Sequence, residues 1–232
     1  MPLKKIKETV VISLGGSVLA PNGLNVAFLK KFKRLIFKHV RLGRRFIIVV
    51  GGGEIARRWQ KSYRALPGVT AADVDWIGIY ATWLNANVLR HWLKPLAHNQ
   101  VVTDPRQIKW SRGRPIVAAA GFLPGRSTDY QAVRLAKHSG VKLVVNLTNT
   151  NFVYDHDPAK HPNAKPLPSL SWSALLKLTG DKWRPAMHAP FDPVASRLAK
   201  KSKLMVVIMS GADIKNFDHY LSQRQFKGTI IS

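Results

Sequence analysis

Three apolar runs in this chain break into glycine at their C-terminal ends. Residues 9–14 lead into Gly15-Gly16-Ser17, residues 45–50 into Gly51-Gly52-Gly53, and residues 115–120 into Gly121. Such near-continuous apolar runs suit strands covered on both faces. Helical spacing follows: in 26–40 the apolar positions are Phe28, Leu29, Phe32, Leu35 and Ile36, with lysines between them. Further helices are expected over 54–63, 73–96, 130–137, 171–178, 192–200 and 212–221, and further strands at 101–102, 142–147, 203–209 and 228–232. Residues 155–168 carry four prolines and read as an irregular excursion. Strands alternating with helices build βαβ units. The expected fold is α/β, a three-layer αβα sandwich with a mostly parallel central sheet.

With 232 residues, 46% of them hydrophobic, the chain can fill one large α/β core. No linker divides it, so a single domain over 1–232 is expected, with an N-terminal part to about 140 and a C-terminal part from about 141. The absence of cysteine excludes disulfides and thiolate metal sites and points to an intracellular setting. No apolar run approaches the ~20 residues of a membrane span. Met1-Pro2-Leu3-Lys4-Lys5 lacks a secretory pattern, so a cytoplasmic protein is expected.

The charge is extreme: 37 Lys and Arg against 12 Asp and Glu, a formal net charge of +25. A nucleic-acid surface is one reading. The basic residues are spread along the chain (Lys30-Lys31, Arg44-Arg45, Arg57-Arg58, Lys200-Lys201), which favours a general basic bias over a dedicated surface. In either case the field attracts anionic nucleotides.

A glycine turn opening a helix is a natural anion site, because the first turn of a helix presents free N–H groups and a partial positive charge. The stretch Gly121-Phe122-Leu123-Pro124-Gly125-Arg126-Ser127-Thr128-Asp129 ends such a turn in hydroxyls and a carboxylate. Three joints of this kind suggest a phosphate-handling protein. The chain has neither a Walker A loop nor the Gly-x-Gly-x-x-Gly spacing of dinucleotide folds. Arg57, four residues after Gly53, can reach a phosphate from the next helix. Asp129 and Asp192 sit at helix starts and read either as N-caps or as organisers of magnesium and phosphate charge. The polar loop after Leu147, Thr148-Asn149 through Tyr154 and Asp157, can contact a nucleotide or simply be solvated.

Taken in order, these pieces resemble the amino-acid kinase superfamily, and within it the uridylate (UMP) kinases of archaeal type. The resemblance rests on Gly15-Gly16-Ser17-Val18-Leu19, on Gly51-Gly52-Gly53-Glu54-Ile55-Ala56-Arg57, on Asp75 with Thr82 and Asn85, and on the 121–129 loop. It continues through Thr148-Asn149 with Val153-Tyr154 and Asp157-Pro158, then Ala189-Pro190-Phe191-Asp192-Pro193, and Phe226-Lys227-Gly228-Thr229. It implies transfer of the ATP γ-phosphoryl group to UMP, with Mg²⁺, in a homo-oligomer, a hexamer built as a trimer of dimers. On matching positions it implies UMP contacts from Gly52, Asp75, Gly121, Phe122, Leu123, Pro124, Gly125, Arg126, Ser127 and Thr128. It implies ATP contacts from Gly16, Ser17, Gly53, Arg57, Thr148, Asn149, Tyr154 and Asp157, and catalytic roles for Asp129, Asp192 and Arg57. The N-terminal part would then be the acceptor side and the C-terminal part the ATP side. No residue is assigned as a dedicated metal ligand. Two other readings accompany this one: a catalytically weak nucleotide- or nucleic-acid-binding regulator on the same fold, and another small-molecule kinase of the superfamily. Three positions depart from the family pattern: Ser13 stands where many members carry lysine, Asn151-Phe152 replaces Asp-Gly, and Phe122-Leu123 replaces smaller or polar residues.

Overall fold

A computed structural model describes residues 8–111, 113–180 and 189–232; the reading of Met1 to Lys5 lies outside them. The elements run β1 (Glu8–Leu14), α1 (Gly16–Leu19), α2 (Val26–Arg41), β2 (Arg44–Val50), α3 (Gly53–Tyr63), α4 (Ala71–Trp92) and β3 (Ile116–Ala119). They continue α5 (Thr128–His138), β4 (Leu143–Thr148), β5 (Val153–Tyr154), β6 (Pro166–Leu167), β7 (Ser169–Leu170), α6 (Trp172–Thr179), α7 (Pro193–Lys201), β8 (Met205–Ser210), α8 (Ile214–Leu221) and β9 (Thr229–Ile231). Seven strands form one sheet in the order β3-β2-β1-β4-β8-β9-β7, parallel except where β9 runs antiparallel to β8.

The strand pleat explains the layers. Val10, Ile12 and Leu14 of β1 face a core shared with α2, α4 and α8, while Val11 faces a second core shared with α5, α6 and α7. Helices therefore cover both faces, and the expected αβα sandwich is the observed one. The strands are apolar throughout because neither face meets water. Each fully buried Ile or Phe of these cores contributes roughly 1.5–3 kcal/mol.

Several boundaries differ from the sequence reading. Val101-Val102 does not form a strand; Val102 makes only an isolated bridge to Ala119. The helix expected over 73–96 begins earlier, because Thr70 and Asp73 close a reciprocal capping box, and it stops at Trp92. The excursion at 155–168 is tied at its ends by β5 pairing antiparallel with β6. Thr229 secures that hairpin to the sheet: its buried hydroxyl donates to Leu167 O (2.6 Å) and accepts from Val153 N (2.8 Å). Ser171 caps α6 as expected, accepting from Ala174 N. Among the described residues no helix is long and apolar enough to cross a membrane.

Candidate active site

Ligands of open parallel sheets bind beyond the C-terminal ends of the strands, and there the glycine loops converge. Gly15 N donates to Leu147 O (2.8 Å) and Gly51 N to Leu14 O (2.9 Å). A Cβ on Gly16 would stand 2.0 Å from Gly53 N, and one on Gly51 2.6 Å from Gly16 N. The first two loops thus touch backbone to backbone, leaving no room for a side chain. Gly53 also takes φ +69°, a left-handed conformation suited to glycine.

One stretch of α4 holds the second and third loops together. Thr82 Oγ1 accepts from Gly121 N (2.9 Å), and Trp83 Nε1 donates to Gly121 O (2.7 Å). Asn85 Nδ2 donates to Gly51 O (2.9 Å) and Gly52 O (3.0 Å). Upstream on the same helix, Asp75 accepts from Gly125 N (2.7 Å). Burial raises the pKa of Asp75, opposed by that N–H and by Arg64. Trp83→Phe keeps most of the ring and removes one hydrogen bond. The expected result is a Tm lowered by roughly 2–4 °C, read by thermal melts.

These elements wall a cavity of about 290 Å³ lined by Gly52, Gly53, Arg57, Gln60, Asp75, Gly121, Leu123, Arg126, Ser127, Thr128, Asp129 and Asp192, among others. Most of the residues expected to face the acceptor are here. Phe122 instead turns to α5, where its ring stacks on Tyr130 at 6.4 Å and the Arg134 guanidinium lies 4.2 Å from its centroid. Pro124 and Gly125 do not line the cavity; Gly125 acts through its N–H on Asp75. Gly53 and Arg57, expected on the ATP side, line this same cavity, and Arg57 is paired with Glu54 at 3.0 Å. Gly16 is sealed against Gly53, and Ser17 lines neither this cavity nor the next.

Two carboxylates form one wall. Ser127, not Asp129, caps α5, accepting from Tyr130 N (3.1 Å). Asp129, in the first turn, bends inward, where Ser13 Oγ donates to its Oδ1 at 2.8 Å. Ser13 and Asn146 are register partners on β1 and β4, and Asn146 Nδ2 also reaches Asp129, at 3.5 Å. Asp192 N approaches Asp129 Oδ2 at 3.4 Å. Asp192 does cap its helix, accepting from Val194 N (2.6 Å), and it also accepts from the Ser127 hydroxyl. Removal from water, reinforced by the Asp192 charge, pushes the Asp129 pKa up to about 7.

A second cavity, of about 730 Å³, lies beyond β4 and is lined by Thr148, Asn149, Tyr154 and Asp157, as expected, together with Phe152, Thr179 and Pro190. The Phe152 and Tyr154 rings meet edge to face at 6.4 Å. The segment 189–192 partitions the two: Ala189 lines both cavities, Pro190 the second and Asp192 the first.

Gln60, Trp83 and Asn146 escaped the sequence reading. Gln60 carried a signal, since it follows Arg57 by three residues on the same face of α3. Trp83 and Asn146 act through contacts between elements distant in sequence, which spacing does not reveal.

Two cavities meeting at Ala189 above a parallel sheet, one of them walled by glycine loops and a carboxylate pair, are the arrangement of an α/β phosphotransferase. The chain belongs to the amino acid kinase family, whose model matches residues 8–210. It is 34% identical over 224 residues to a uridylate kinase of Methanocorpusculum labreanum, covering 96% of this chain and 94% of the relative. It is likewise 34% identical over 225 residues to a uridylate kinase of Pyrococcus abyssi, covering 96% and 98%. The crystal structure of uridylate kinase from Archaeoglobus fulgidus superposes with a TM-score of 0.82 at 31% identity, over 96% of this chain and 99% of that one.

Proposed function

We propose that this chain is a UMP kinase, transferring the γ-phosphoryl group of ATP to UMP to give UDP and ADP. The observation that carries the reading is the partition: two cavities share Ala189, with Asp129 and Asp192 on the wall of one of them. UMP would occupy the cavity of Asp75 and Gly121, and ATP the cavity of Thr148, Asn149, Tyr154 and Asp157. The acceptor half is then about 1–140 and the donor half about 141–232.

The donor cavity suits a nucleoside triphosphate, with aromatic faces beside hydroxyl and amide groups. The carboxylates of Asp129 and Asp192 are hard oxygen donors on the wall of the first cavity. That fits Mg²⁺ carried on phosphate oxygens, which needs only one or two carboxylates from the protein. When bound there, Mg²⁺ neutralises charge on the transferring phosphate.

The protein's own part is positioning and electrostatics. The N-termini of α3 and α5 offer backbone N–H groups, and Arg57 and Arg126 line the acceptor cavity. In place of a first-strand lysine, Ser13 supplies a hydroxyl that fixes Asp129. Asp129 and Asp192 would hold the metal-bearing phosphates in line with the UMP oxygen. Self-association belongs to the same proposal and is supported by the exposed apolar side chains Trp59, Tyr80 and Leu84 on α3 and α4. Sedimentation at the mass of a single protomer would overturn it.

ADP release measured with ATP, Mg²⁺ and a panel of nucleoside monophosphates tests the activity. UMP is expected to be the best acceptor. Turnover no higher than the acceptor-free background, with UMP binding retained, would replace the kinase by a nucleotide-binding regulator. Turnover only with a carboxylate or carbamate acceptor would make it a different kinase of the family.

A further inference from the structure

Gln60 is a cavity residue that the reading of the site as a UMP kinase leaves without a role. Its Nε2 donates to Val74 O at 3.0 Å. A carbonyl oxygen can accept only from the NH₂ end of an amide, so this bond fixes which way the amide is turned. Its Oε1 has no hydrogen-bond partner among the described residues, and the side chain lines the acceptor cavity with Asp75.

The opposite helix is shaped around this amide. A Cβ on Gly78 would stand 2.3 Å from Gln60 Nε2 and 3.1 Å from its Cδ. Any side chain at 78 would displace the amide. Gly78 lies one turn beyond Asp75 on α4 and also lines the cavity. Glycine at 78 and glutamine at 60 therefore form one device: a pinned amide with a spare acceptor.

We propose that Gln60 determines nucleoside specificity, its Oε1 accepting a hydrogen bond from a donor on the sugar or the pyrimidine base of the acceptor nucleotide. This rests on the UMP-kinase reading of the cavity. A fixed acceptor rewards a ligand that brings an O–H or N–H and is left unpaired by one that does not. The two sources of that donor are a ribose hydroxyl and the ring N3–H of uracil.

The test is steady-state kinetics of the wild-type protein with UMP, 2′-deoxy-UMP and N3-methyl-UMP, repeated with Gln60→Met. In the wild type one analogue is expected to raise KM about tenfold with kcat within about twofold, and that analogue identifies the donor. In Gln60→Met the KM for UMP itself rises about tenfold, the KM for ATP stays unchanged, and the extra penalty of that analogue disappears. A purely structural peg would leave the penalty in place, and that result overturns the proposal. So does a wild type in which neither analogue costs more than about twofold, a measurement that decides the matter if Gln60→Met does not fold. Absence of UMP turnover in the wild type overturns instead the reading on which the proposal rests.

Discussion

Asp129→Asn is expected to lower kcat about 10²–10³-fold while leaving a folded protein that is more stable than its parent at pH 8. The loss of rate follows from removing a charge that acts on the transferring phosphate, where one preorganised electrostatic contact has an effect of that size. The gain in stability follows from linkage. The carboxyl titrates near 3.8 when unfolded and near 7 when folded, so between those values the native state holds a proton that the unfolded state has released. Stability therefore falls as pH rises through this window, and the ionised group is a burden above it. Asparagine keeps an acceptor for Ser13 Oγ without the charge. At pH 8 the variant is expected to gain about 2–4 kcal/mol, or roughly 4–16 °C in Tm. At pH 4 the two proteins should melt within about 1 °C of each other, because the parent is then protonated. Thermal melts at both pH values, beside ADP-release rates, check the two halves. A variant with unchanged turnover removes Asp129 from the reaction, and one that is less stable at pH 8 refutes its electrostatic burden.

Gly16→Ala is expected to damage both substrate sites at once. The added carbon would lie 2.0 Å from Gly53 N, 2.6 Å from Gly53 Cα and 2.7 Å from Gly51 C, all backbone atoms with no rotamer to yield. The two loops must part, at a cost of about 3 kcal/mol or more, lowering Tm by roughly 6–12 °C. Parting them also shifts Gly52 and Gly53 on the acceptor wall, so KM should rise for UMP as well as for ATP. Ser17→Ala, one residue further on, has no such neighbour and should leave Tm within about 1 °C. Equal melting of Gly16→Ala and the parent would show that the contact is dispensable.

The αβα architecture was legible because its signals are local and repeated: near-continuous apolar strands, glycine at their ends, helical spacing between them. The loop at Gly121 was legible for the same reason, since it ends an apolar run and opens a helix, whereas Asp75, inside α4, stood out only through the resemblance to the family. What escaped depended on tertiary direction. Phe122 sits in the middle of the acceptor loop, yet its ring is better placed between Tyr130 and Arg134 than in a polar cavity. Asp129 reads as a cap by position, but the cap is Ser127, two residues earlier, which leaves the carboxylate free to turn to Ser13, 116 residues away in sequence. Spacing from Gly53 placed Arg57 within reach of a phosphate, but not which cavity it lines; the rotation of α3 sets it beside Gln60 in the cavity of Asp75.

Thr229 sets an order on how the protein can be built as it is synthesised. Strands β1, β2 and β3 can pair once roughly the first 120 residues have left the ribosome, since their register involves nothing later in the chain. The hairpin that borders the donor cavity is different. Val153 and Leu167 are both fastened by Thr229, translated 76 and 62 residues after them. A nascent chain stalled before that threonine emerges should therefore display a formed β1–β3 sheet beside a protease-sensitive Phe152–Tyr154 segment. The wall of that cavity would take its final shape only afterwards.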